Sequence, residues 1–72
     1  MPKTLREQLD QVEREIRMYI DFDEEEKDRF NRESCLWTAE DRIEWQEIQR
    51  DNAQRLRELR EERDSLRSRL GL

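Results

Sequence analysis

Six carboxylates fall within one short run of this 72-residue chain, DFDEEEKD: Asp21, Asp23, Glu24, Glu25, Glu26 and Asp28. Clustered carboxylates can hold a hard cation, share a proton in acid–base catalysis, or meet a basic partner. Metal binding fails on pattern. Asp21, Asp23 and Glu25 open like a calcium loop. The sixth position is then Glu26 where glycine makes the turn, and the twelfth is Arg32 where a bidentate glutamate closes the cage. A di-iron bundle needs Glu-x-x-His, and there is no histidine. Glycosidase-like chemistry needs a walled cleft around its two carboxyl groups, and a chain this thin builds none. No catalytic residue, metal or cofactor is expected, and the protein is read as not an enzyme.

The single Cys35 cannot form an internal disulfide. A reactive thiol needs a histidine or a cationic pocket beside it, so Cys35 is expected to be a small, partly buried apolar residue. The remaining candidates are charges that meet partners. Residues 21–51 carry 12 acidic and 5 basic side chains, net −7, residues 1–20 are neutral, and residues 52–72 are net +2. A solvated face is the commonest use of such a run. The sharper reading is a protein-binding acidic patch, Asp21, Asp23, Glu24, Glu25, Glu26 and Asp28, that meets a basic protein partner with fast, salt-sensitive association. An alternative of the same kind is an acidic inhibitor, mimicking nucleic acid toward a nucleic-acid-binding protein. Direct nucleic-acid binding would rest on Arg55, Arg57, Arg60, Arg63, Arg67 and Arg69, but Glu58, Glu61, Glu62 and Asp64 interrupt them. Arg57–Glu61 and Arg60–Asp64 are spaced as intrahelical pairs.

These charges need elements to carry them. With 49% charged residues, one glycine and one proline, the chain has the composition of long helices or of disorder. Apolar spacing decides for helices. Leu5, Leu9, Val12, Ile16, Tyr19, Asp23, Glu26 and Phe30 alternate steps of four and three, a heptad stripe that turns polar twice. Trp45, Gln49, Asn52, Leu56, Leu59, Arg63, Leu66 and Leu70 form a second, with Ile48 flanking. Extended past Phe30, the first register meets Glu33, Trp37, Glu40, Glu44, Glu47, Asp51, Gln54, Glu58 and Glu61, of which seven are acidic. One continuous helix would bury those carboxylates or expose both leucine seams, at a cost no turn approaches.

The break falls in SCLWTA, Ser34 to Ala39, the longest uncharged stretch. Thr38 and Asp41 have capping-box spacing, and Ser34 is a plausible end to the first helix, though no glycine caps it. Leu36 and Trp37 are expected to cover the open end of the seam beside Phe30 and Trp45. Folding there pairs residues whose numbers sum to about 75, so apolar meets apolar near the termini and polar meets polar toward the turn. The expected architecture is an all-α, antiparallel two-helix coiled-coil hairpin. Helix 1 spans about 3–33, the turn about 34–38 and helix 2 about 39–70, in a single domain. Met1-Pro2 to Gly71-Leu72 reads as a complete small open reading frame.

Met18, Phe22, Leu36 and Ile43 have no seat in the hairpin seam. They are expected in a dimer interface, assembling a four-helix bundle homodimer with the turns at opposite ends. No apolar run exceeds three residues, so neither a membrane span nor a signal peptide is read, and the location expected is cytoplasmic. The function expected is a non-enzymatic coiled-coil interaction or adaptor protein binding another protein.

Overall fold

The computed structural model describes residues 2–72. It is an all-α hairpin: α1 (Leu5–Glu33), a 3₁₀ turn (Ser34–Leu36) and α2 (Ala39–Arg69), with α1 and α2 packed against each other. Three of the four helix ends are closed by their own flanking residues. Thr4 caps α1, its hydroxyl accepting from the Glu7 N–H at 3.1 Å. Thr38 caps α2 through the full reciprocal box. The Asp41 N–H donates to Thr38 Oγ1 at 3.1 Å, and the Thr38 N–H donates to Asp41 Oδ2 at 3.2 Å.

At the other end of α2, Gly71 takes φ +74°, a left-handed conformation that costs glycine nothing. The Gly71 N–H then reaches the Ser68 carbonyl and the Leu72 N–H reaches that of Arg67. This pair of bonds is the Schellman ending, which satisfies carbonyls the helix leaves open.

α1 ends without a glycine. Ser34 stays in the right-handed helical region, the chain tightens into the 3₁₀ turn, and Trp37 and Thr38 are extended. The Ser34 carbonyl accepts from the Trp37 N–H and also from Arg42 Nη2 at 2.9 Å. A side chain from the first turns of α2 thus supplies the donor that closes the corner.

The seam follows the two stripes. Leu9, Val12 and Ile16 of α1 and Leu59 and Leu66 of α2 are buried, with Leu5, Tyr19, Ile20, Leu56 and Leu70 packed around them. All of this core lies in the terminal half, and no residue between Asp21 and Asp51 is buried. The turn half is held by rings instead. Phe30 stacks on Trp45 at 4.5 Å, and Trp37 meets Phe30 edge-on at 5.7 Å. Offset-stacked and edge-on pairs are the favoured aromatic arrangements, worth about 0.5–1.5 kcal/mol each beyond their area.

Two expectations for the corner are corrected. Leu36 does not cover the seam; it is 83% exposed, because the 3₁₀ turn throws it outward, and Trp37 alone takes that place. Cys35 is exposed, not partly buried, for the same reason. A third correction concerns α2. Neither Arg57–Glu61 nor Arg60–Asp64 forms an ion pair among the described residues. Arg55 pairs with Glu58 at 3.4 Å and Arg63 with Asp64 at 3.2 Å.

Candidate interaction surfaces

The six carboxylates of the acidic run divide by the face they occupy. Asp23 and Glu26 stand at seam positions. Asp23 pairs with Lys27 at 3.0 Å. Glu26 Oε2 accepts from Trp45 Nε1 at 3.1 Å across the two helices and lies 3.7 Å from Arg29, with its side chain only 16% exposed. This is the partner a half-buried indole N–H and a half-buried carboxylate each require. Arg29 in turn reaches Glu33 at 3.2 Å and lies over the Trp37 ring, 5.4 Å from its centroid.

Asp21, Glu24, Glu25 and Asp28 point outward. All four are exposed, and none has an ion-pair partner among the described residues. Their spacing of three, four and seven residues places them on one face of α1, as a stripe two turns long. No group of three or more potential ligand side chains among the described residues could hold a metal ion. A helix fans its carboxylates outward, which separates the donors a cation would have to gather.

The second surface lies along one edge of the hairpin. Met18, Phe22 and Ile48 are 69%, 42% and 51% exposed. With Tyr19 and Asn52 they line an open groove of about 340 Å³ that bridges α1 and α2. A neighbouring depression of about 350 Å³ shares Phe22 and Ile48 and continues toward the turn, past Glu26, Trp45, Trp37 and Glu44. The two form one continuous face, apolar at mid-rod and carboxylate-rimmed toward the turn.

Met18 and Phe22 were expected together, and they are. Leu36 and Ile43 line neither depression, although both are exposed. Ile48 was read only as flanking the seam. It lies four residues before Asn52 on α2, but only the packed pair of helices shows which edge it shares. The Arg-rich segment of α2 forms no continuous basic stripe. Arg63 and Arg67 border a groove with Glu13, Asp21 and Glu24 on the opposing helix. Among the described residues no helix is long and apolar enough to cross a membrane. Compared with known proteins by family model, by curated sequence and by solved structure, the chain finds no match, and its function is read from its own surfaces.

Proposed function

We propose that the chain is a non-enzymatic interaction module of the cytoplasm, a helical hairpin that presents an acidic stripe to a basic surface on another protein. The observation that carries this reading is the stripe itself. Asp21–Glu25 and Glu24–Asp28 are like-charge pairs at i,i+4, and Asp21–Glu24 and Glu25–Asp28 at i,i+3. Each such pair destabilises a helix by roughly 0.2–0.5 kcal/mol, so the stripe costs about 1–2 kcal/mol with no compensating ion pair. Asp23 and Glu26 of the same run are satisfied within the fold, by Lys27 and Trp45. The outer four have no ion-pair partner among the described residues, and a basic partner would relieve their repulsion.

The test is capture from native cell extract at low and high salt, with the native chain and with a variant carrying Asp21→Asn, Glu24→Gln, Glu25→Gln and Asp28→Asn. The expected result is a basic protein retained at about 0.1 M salt, where charges act over ~10 Å, and released at about 1 M, where they act over ~3 Å. The variant should retain none of it. A partner held equally by both chains at both salts would refute the reading. If the captured protein binds nucleic acid, displacement of the chain by duplex DNA would identify it as a nucleic-acid mimic.

A further inference from the structure

We propose that the apolar face of Met18, Phe22 and Ile48 is closed by a second copy of this chain, docked with the turn of each hairpin beside the termini of the other. Three features of the molecule converge on this occupant.

The first is position. α1 runs from Leu5 to Glu33, and Met18 and Phe22 bracket its midpoint. A twofold axis there brings like residues together, as an isologous interface requires. It also keeps two rods in full overlap, whereas an apolar patch at one end would leave antiparallel partners staggered. The rod is 49 Å long, so full overlap gives two copies the length along which to bury the ~800 Å² per partner of a standard interface.

The second is the uneven core. All five buried side chains lie in the terminal half, while the turn half holds Trp45 and Trp37 half-buried beside an open depression. Antiparallel docking lays the well-packed half of one copy along the poorly packed half of the other. The result is a four-helix bundle whose second layer covers the rings that the hairpin leaves partly wet.

The third is charge. With turns together, two segments of net −7 would lie side by side; with turns opposed, each lies beside segments of net 0 and net +2. An axis near residue 20 brings Arg14 of one copy within one residue's rise of exposed Glu25 of the other, and neither has an ion pair among the described residues. Asp21, Glu24 and Asp28 lie around the helix from this face. They stay open in the dimer, as two stripes on either side of the axis, so a partner could be engaged at two points.

The proposal is independent of the acidic-stripe reading, and its test does not involve the partner. Light scattering at about 100 µM is expected to give twice the 9.1 kDa chain mass. Phe22→Asp and Ile48→Asp should each return it to one chain mass, with helical circular dichroism retained; Glu24→Gln should leave it doubled. Exposed Cys35 at the turn is a natural site for a spin label. Opposed turns place two labels about 45 Å apart, from fifteen residues of 1.5 Å rise on each side of the axis. A monomer at that concentration would overturn the proposal, as would a dimer that both aspartate variants leave intact. Labels within about 20 Å would overturn the orientation.

Discussion

Among the described residues Leu59 is the one side chain with 0% exposure, and it is the sharpest test of how the fold is held. Leu59→Ala removes three buried carbons. At roughly 0.8 kcal/mol each, the transfer contribution is about 2.4 kcal/mol. A cavity adds to this, bringing such substitutions into the ~2–5 kcal/mol range. In a two-helix seam the walls are two rods that can close inward, so the expected loss is near the lower end, about 3 kcal/mol. Leu36→Ala makes the same chemical change at a residue 83% exposed and should cost no more than about 0.5 kcal/mol. Urea unfolding followed by far-ultraviolet circular dichroism measures both, at one fixed protein concentration because self-association would shift the midpoint. The reasoning fails if the two variants unfold at the same urea concentration. It fails equally if Leu36→Ala is the more damaging, since the corner and not the terminal seam would then hold the hairpin.

Gln49 Nε2 is buried without a hydrogen-bond partner, and an unsatisfied buried donor costs about 1–3 kcal/mol. Gln49→Leu is therefore expected to stabilise the hairpin by about 1 kcal/mol, read as a Tm rise of roughly 4–8 °C by thermal circular dichroism; an unchanged or lower Tm would show that the amide is satisfied. Neutralising the stripe, with Asp21→Asn, Glu24→Gln, Glu25→Gln and Asp28→Asn together, should raise stability by about 1 kcal/mol at low salt and by less at 1 M salt. A loss of stability in that variant would mean that the four carboxylates serve the fold.

The hairpin was legible because its signals are periodic and local. Two stripes offset from one another force a break, and Thr38 with Asp41 marks where the second helix starts. What the sequence hid depends on geometry beyond the helical period. Leu36 and Trp37 are adjacent apolar residues in one short turn, and only the 3₁₀ conformation decides that Trp37 packs inward while Leu36 points out. The hydrogen bond from Arg42 to the Ser34 carbonyl spans eight residues and has no motif, so a corner without a C-cap glycine looked incomplete. The division of the acidic run could be read from the stripe itself, since Asp23 and Glu26 already stood at seam positions. The pairing of Phe22 with Ile48 could not be, because a helical wheel gives an angle from the seam and not the edge shared across two helices.

The polar layers explain why both surfaces lie where they do. Toward the termini, Leu9, Val12, Ile16, Leu59 and Leu66 make a dry seam that fixes the helices in register. Toward the turn, the facing positions are Asp23, Glu26, Gln49 and Asn52, and the helices meet there through three aromatic rings and one hydrogen bond, Trp45 Nε1 to Glu26. A seam with polar layers forfeits stability but resists slipping, since sliding one helix by a heptad would set Glu26 against an apolar layer, away from the indole N–H that satisfies it. The same layers leave the turn half with fewer buried contacts than the terminal half. Regions of this kind open most readily and gain most from a partner. The acidic stripe occupies the outer face of that half, and the Phe22–Ile48 groove its edge. The hairpin thus divides its length between a half held by a dry apolar seam and a half held by aromatic rings and one part-buried hydrogen bond.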